Sequence, residues 1–131
     1  MNPGALDLLR SLKTHGIKTG IVSNAQRVFF EDEIRTTGLL AYLDSIVISA
    51  DYKFQKPNTR LFALALDMVG AKADEAVFVG DDMLSDILGA KNAGIQAVYI
   101  PSKYGVNFAR NISPDHFARE LSGVRELFGI A

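Results

Sequence analysis

The sequence has 131 residues, with 14 Lys and Arg against 15 Asp and Glu, so a net charge of −1 gives no basic field for nucleic acid. Hydrophobic residues make up 48% and charged residues 22%, which is typical of one globular domain, expected to span residues 1–131. Cysteine is absent, which excludes disulfides and thiolate metal sites, and no apolar run reaches the ~18 residues of a membrane-spanning helix. These features predict a soluble cytoplasmic protein.

In chain order, helical patterns alternate with short apolar runs. Asn2-Pro3-Gly4 is a typical helix start, and the leucine stripe after it should end at Gly16. The predicted strands are short apolar runs bounded by turn residues: 18–22, 45–49, 76–79, 95–100 and an edge strand at 116–119. The later predicted helices are 25–36, a turn at 39–43, then 58–69, 82–93 and a last turn or two at 123–128.

This alternation indicates an α/β fold, a three-layer α/β/α Rossmann-like arrangement with a parallel sheet between two helical layers. Polar residues follow the strands: Ser23-Asn24 after the first, Lys56 in the loop after the second, and Asp81-Asp82 after the third. Because the carboxyl ends of parallel strands meet at one edge of a sheet, we expect these residues to form a single site.

The acidic part of this site predicts a metal. Asp81 and Asp82 follow Gly80 directly, and Asp86 comes one helical turn later. Clustered carboxylates repel one another unless a cation joins them, and oxygen ligands of this kind suit Mg²⁺. We therefore expect Mg²⁺ at Asp81, Asp82 and Asp86. Two other interpretations stay open: Asp82 could only cap its helix, and Asp86 could order the lysine of the site instead of binding metal.

The remaining polar residues predict a phosphate site. A hydroxyl group and backbone N–H groups can hold phosphoryl oxygens, and a lysine can neutralise charge on a transferring group. We expect Ser23, Asn24 and Lys56 to bind phosphate or a small phosphorylated molecule, with Ser23 and Lys56 also taking part in catalysis. The alternative for Ser23-Asn24 is a helix cap, since both residue types are favoured there.

Taken together, the three motifs resemble those of the haloacid dehalogenase-like hydrolases. The family's Ser or Thr at the end of a strand is matched by Ser23, its lysine by Lys56 before Pro57, and its Gly-Asp-x-x-x-x-Asp motif by Gly80, Asp81 and Asp86. The resemblance runs from about residue 3 to residue 128. It implies a Mg²⁺-dependent, phosphatase-type hydrolase core.

The family's first motif, Asp-x-Asp, does not occur in the sequence. In the family it supplies the aspartate nucleophile and ends the first, central strand, between the strands that here end at Ser23 and Gly80. The resemblance therefore implies a sheet without that strand and a chain that is inactive alone or dependent on a partner segment. The two flanking strands could pair directly, another chain could fill the gap, or the chain could be poorly stable. Because an exposed apolar edge favours self-association, we expect a homo-oligomer, a dimer.

Two further functions of other classes stay open. A non-catalytic module could keep affinity for Mg²⁺ and a phosphorylated ligand, or an oligomeric interaction domain could keep the motifs without using them. A receiver domain is disfavoured, since its acid pair precedes its hydroxyl residue and lysine. A nicotinamide-binding domain is disfavoured because no Gly-x-Gly-x-x-Gly follows a strand.

Overall fold

The computed structural model describes residues 4–24, 27–52, 55–102 and 111–129. Its helices are α1 (Ala5–Thr14), α2 (Arg27–Thr37), α3 (Thr59–Val69), α4 (Gly89–Asn92) and α5 (Ser122–Leu127). Its strands are β1 (Gly20–Ser23), β2 (Ser45–Ile48), β3 (Val77–Gly80), β4 (Gln96–Tyr99) and β5 (His116–Phe117). Short 3₁₀ turns lie at Leu39–Tyr42, Ser49–Asp51 and Ala73–Glu75, and a π-helical segment, Met83–Leu88, leads directly into α4.

The predicted strands and helices are confirmed, with ends that differ by a residue or two in the described part of the chain. The predicted cap at Asn2 and most of the predicted loop 102–114 lie outside the described residues. Asn58 caps α3 as expected, since its side chain accepts a hydrogen bond from the backbone N–H of Arg60 at 2.9 Å.

The helix predicted over 82–93 begins in π geometry, which the sequence pattern does not show. The carbonyl oxygen of Asp82 accepts hydrogen bonds from the backbone N–H groups of Asp86 at 3.0 Å and Ile87 at 3.2 Å, so an i+4 and an i+5 bond share one acceptor. Short π-helical segments of this kind often lie at functional sites.

The strands form two parallel sheets in the described residues. β1 pairs with β2 in a register that joins Gly20 to Ser45 and Ser23 to Ile48, while β4 lies between β3 and β5. The Rossmann-like class is confirmed, but direct pairing of β1 with β3, one of the three expected outcomes, is not found between these described strands.

Two helices hold the sheets together, one on each face. On one face, Leu8 of α1 packs with Val98 and Ile100 of the β4 region, while Leu6 and Leu9 pack in the cluster around Ile48. α1 therefore contacts both sheets.

On the other face, α3 has the same role. Leu61 packs with Val22 and Val47 of the first sheet, and Phe62 packs with Tyr99 of the second. No helix in the described part of the chain is long and apolar enough to cross a membrane.

Replacing Gly89 with alanine should destabilise the protein, because α4 approaches α3 and the Lys56–Pro57 loop there. A Cβ on Gly89 would lie 2.6 Å from the buried Phe62 ring and 3.1 Å from the Cα of Pro57. We expect Gly89→Ala to lower the free energy of unfolding by about 1–3 kcal/mol in urea denaturation. The matched control is Gly123→Ala in α5, where the nearest atom would be 3.5 Å away and stability should be unchanged or slightly higher. Equal effects of the two substitutions would contradict this packing.

Candidate functional site

The centre of the predicted site is an ion pair between Lys56 and Asp86. Lys56 Nζ donates to Asp86 Oδ1, and the two side chains are only 11% and 7% exposed. The second oxygen, Asp86 Oδ2, accepts hydrogen bonds from the backbone N–H groups of Asp81 and Asp82, both at 3.2 Å. A buried carboxylate is tolerated when it is paired and hydrogen-bonded in this way.

Gly80 makes this arrangement possible. A Cβ on Gly80 would lie 2.4–2.5 Å from the Cβ, Cγ and Oδ2 atoms of Asp86. Any other residue at the end of β3 would therefore displace the Asp86 carboxylate. The sequence motif includes Gly80, and the close approach of the Asp86 side chain to its Cα explains why glycine is needed there.

Lys56 is held by two further contacts. Its backbone N–H donates to Asn24 Oδ1 at 2.9 Å, and Asn24 Nδ2 donates to the Lys56 carbonyl oxygen at 3.4 Å. The ammonium group lies 5.6 Å from the centre of the Phe78 ring, within the range of a cation–π interaction. Asn24 thus fixes the lysine loop against the end of β1, and its expected contact with phosphate stays a prediction. Phe78 was not predicted as a site residue, and its place in an apolar strand gives no signal of this contact.

The carboxylate of Asp82 caps the helix that begins at Met83. Its Oδ1 accepts hydrogen bonds from the backbone N–H groups of Leu84 at 2.9 Å and Ser85 at 2.8 Å. The hydrogen bond from the Ser85 N–H is the largest cause that lowers the pKa of Asp82 below its usual range. Asp82 is therefore an ionised N-cap, the alternative that the sequence left open.

Asp81 differs from its two neighbours in its electrostatics. Partial burial, followed by the negative charge of Asp86, raises the pKa of Asp81 above its usual range. In the described part of the chain it is neither the helix cap nor the ion-pair partner of Lys56. Ser23, the other predicted residue, ends β1 directly before Asn24.

The three carboxylates have different partners in the structure. Within the described ranges, no group of three or more His, Cys, Asp or Glu side chains is placed to hold a metal ion. Oδ1 of Asp82 accepts the hydrogen bonds of the helix cap, and the Asp86 carboxylate pairs with Lys56. The magnesium site expected at Asp81, Asp82 and Asp86 therefore stays a prediction. Asp81 fits as an oxygen ligand, because a cation would offset the burial and the negative charge of Asp86 that raise its pKa.

Two surface grooves lie away from these residues. One, of about 400 Å³, is lined by the β5 end and α5, and the other, of about 820 Å³, is lined by α2 and β2 with Leu40 at its rim. Neither groove is lined by Lys56 or by the three aspartates of the site.

The polar residues at the carboxyl ends of these parallel strands give the chain the architecture of a Rossmann-like hydrolase core. The family model for haloacid dehalogenase-like hydrolases matches residues 1–100. The chain therefore belongs to the haloacid dehalogenase-like hydrolases.

Individual relatives agree with this assignment. The chain is 35% identical over 101 residues to the glyceraldehyde 3-phosphate phosphatase of Methanothermobacter thermautotrophicus, which covers 77% of this chain and 45% of the relative. A HAD phosphatase structure from Thermococcus onnurineus matches 97% of this chain and 57% of its own at 31% identity, with a TM-score of 0.86. The magnesium-bound HAD-hydrolase YfnB of Bacillus subtilis matches 97% and 55% at 26% identity, with a TM-score of 0.87. The chain thus spans about half the length of these relatives.

A double-mutant cycle should show that Lys56 and Asp86 act as a pair. Lys56→Met leaves the Asp86 charge unpaired, and Asp86→Asn leaves the Lys56 charge unpaired, so each alone should be strongly destabilising. In the double variant neither charge is left alone, and we expect a coupling free energy of about 1–3 kcal/mol by urea denaturation. Strict additivity of the two substitutions would contradict the pairing.

The role of Asp82 as a cap can be separated from a role as a metal ligand. Asp82→Ala should lower the free energy of unfolding by about 1 kcal/mol, because the N–H groups of Leu84 and Ser85 lose their acceptor. Asp82→Asn keeps an acceptor oxygen and should lie much closer to the unchanged protein. Equal losses in Asp82→Asn and Asp82→Ala would show that the charge, and not the capping oxygen, is needed.

Asp81 should make the stability fall as pH rises. Because its folded-state pKa is raised, ionisation opposes folding: this penalty is absent at low pH and complete above the folded-state pKa. In metal-free buffer, Asp81→Asn should therefore raise the urea midpoint at pH 7, and the difference should shrink as the pH is lowered toward about 3. Asp44→Asn, at an exposed position in the loop before β2, is the control. A difference between Asp81→Asn and the unchanged protein that does not depend on pH would contradict this.

Proposed function

We propose that this chain is the core of a Mg²⁺-dependent phosphatase-type hydrolase, acting on a small phosphorylated molecule with a nucleophile from a polypeptide segment outside residues 1–131. The observation that carries the proposal is the Lys56–Asp86 pair, held by Asn24 beside Asp81 at the carboxyl ends of β1 and β3. Phosphatases among the relatives support the substrate class. The absence of cysteine suits a reducing compartment, and we place the protein in the cytoplasm as part of the same proposal.

The charges of the site explain why a cation belongs to this proposal. One lysine faces three aspartates there, so the site by itself repels a phosphate dianion. Mg²⁺ often binds through one or two carboxylates, several waters and the phosphate of a substrate, and Asp81 fits as one such carboxylate. When bound, the ion would supply charge neutralisation at the phosphoryl oxygens.

The residues of this chain would bind and position the phosphate. Ser23 at the end of β1 would donate its hydroxyl proton to a phosphoryl oxygen, and Lys56 would donate from its ammonium group. Asp86 and Asn24 would act on Lys56, one through its ammonium group and one through its backbone, and so are positioning residues. The chemistry that the chain would receive from outside is a carboxylate nucleophile and an acid for the leaving group.

A second candidate is a module that binds a phosphorylated ligand without turnover. It is favoured by the structural use of Asp82 and Asp86, which leaves one of the three predicted metal carboxylates for an ion. This candidate predicts Mg²⁺-dependent binding of inorganic phosphate, and no hydrolysis under any condition.

The test is Mg²⁺-dependent hydrolysis of p-nitrophenyl phosphate by the purified chain, because the p-nitrophenolate group leaves without an acid and a nucleophile alone then suffices. We expect no turnover by the chain alone, and turnover after addition of a synthetic peptide of four β-branched apolar residues followed by Asp. The matched control peptide ends in Asn and should give none. With the active peptide, Lys56→Met should reduce the rate by about 100-fold, and Asp81→Asn should abolish the Mg²⁺ dependence.

Two results would contradict the proposed function. Turnover by the chain alone that disappears in Asp81→Asn would mean that no outside nucleophile is needed. Absence of turnover with a peptide shown to be bound would exclude catalysis, and phosphate binding measured by calorimetry with and without Mg²⁺ would then decide for the binding module.

A further inference from the structure

Phe78, the second residue of β3, packs against two hydrophobic clusters at once. One cluster contains Phe62 and Tyr99, and the other contains Val22 and Leu61. The Phe62 and Phe78 rings meet edge to face, with their centres 4.9 Å apart and an angle of 76° between their planes. Aromatic pairs favour this arrangement, because the positive edge of one ring meets the negative face of the other. The core of the protein therefore fixes the position of the Phe78 ring.

The partner ring of Phe62 is itself confined. Phe62 is 1% exposed, and a Cβ on Gly89 would lie 2.6 Å from its ring, so α4 packs closely against this side of α3. Side chains packed at the density of a protein interior have little space into which they can shift. Phe62 thus prevents the Phe78 ring from moving toward α3.

The ammonium group of Lys56 has an aromatic neighbour as well as an acidic one. Its Nζ atom lies 5.6 Å from the centre of the Phe78 ring and donates to Asp86 Oδ1, and the Lys56 side chain is only 11% exposed. A cation is attracted to the negative face of an aromatic ring, and the attraction is stronger where water is excluded. An ammonium group has three N–H donors, so these two contacts restrict its position without using all of its donors.

The ion pair with Asp86 does not by itself fix the ammonium group. Lysine has a flexible four-carbon stem, and a single hydrogen bond leaves the group free to turn about the acceptor oxygen. Asn24 holds the backbone of Lys56, but its hydrogen bonds do not reach the end of the side chain. The ring of Phe78 supplies a second direction of attraction at that end.

We propose that Phe78 is a positioning residue of the site: the face of its ring holds the Lys56 ammonium group beside Asp86, with N–H donors left for the anion that Lys56 binds. The identity of that anion, phosphate, rests on the proposed function, whereas the contact with the ring does not. The neighbours of Phe78 in β3 are the aliphatic residues Val77 and Val79. An aliphatic side chain at position 78 would also be apolar, so the role belongs to the ring face and not to hydrophobicity.

The test replaces Phe78 in the full chain with phenylalanines that carry one, two or three fluorine atoms on the ring, introduced by amber suppression. Fluorine withdraws charge from the ring face and weakens its attraction for a cation, while the side chain stays apolar and close to its original size. In protein labelled with ¹⁵N-lysine, NMR relaxation of the Lys56 ammonium signal, identified by its loss in Lys56→Met, measures how ordered the group is. We expect this order to fall with each added fluorine. The dissociation constant of inorganic phosphate in the presence of Mg²⁺, measured by calorimetry, should rise about threefold with three fluorines.

Two comparisons separate the ring face from packing. The matched control is the same fluorine series at Phe117 in β5, an exposed ring 6.0 Å from that of Tyr99, which should leave the Lys56 signal unchanged. Phe78→Leu keeps an apolar side chain without a ring face, and it should give the largest loss of order. The fluorine series also tests the inference if Phe78→Leu fails to fold.

Three results would overturn the inference. These are an order of the Lys56 ammonium group that is constant along the Phe78 series, an equal change along the Phe117 series, and a phosphate affinity that stays constant while the order falls. Failure of the proposed function has a different signature. No phosphate binding with or without Mg²⁺, together with an order that still falls along the Phe78 series, would contradict the proposed function and leave the positioning of Lys56 by Phe78 standing.

Discussion

The carboxylate of Asp86 is the group on which the geometry of the site depends. An ion of this kind costs several kcal/mol to bury unless its oxygens are paired, and here Lys56 pairs one oxygen while two backbone N–H groups pair the other. The need for these donors explains the other features nearby. Gly80 must lack a side chain, and the wide π turn carries Asp86 back toward the N–H groups of the strand end.

The three aspartates of the site thus have three different environments. Asp86 is buried and paired, Asp82 is exposed and caps a helix, and Asp81 carries a charge that its surroundings disfavour. Unequal environments of this kind are how one residue type serves several roles at one edge of a sheet. A cation at Asp81 would offset the burial and the negative charge of Asp86 that disfavour ionisation there, and it would replace no hydrogen bond of the cap or the ion pair.

The sequence predicted most of the fold because its signals are local. The period of apolar residues defined the strands and helices, and the order of the motifs predicted that Asn24, Lys56 and Asp86 would come together. The sequence could not show the π turn. Apolar residues four positions apart, such as Met83 and Ile87, are compatible with an α-helix and with a π-helical segment. The sequence also could not distinguish an aspartate that caps a helix from one that binds a metal, because both roles use a carboxylate. In the same way, an Asn24 that holds the Lys56 backbone and an Asn24 that contacts phosphate require the same side chain. Strand pairing joins residues far apart in the sequence, so local patterns could not predict that the described strands form two separate sheets.

The way α1 and α3 each contact both sheets has a consequence for how the chain unfolds. Two sheets that share no hydrogen-bonded edge in the described residues would be expected to open as separate units. Here the core residues of each sheet pack on the same two helices, so the loss of one sheet removes the support of the other. The chain should therefore unfold in one cooperative transition, with the helices and not the strands providing the cooperativity between its halves.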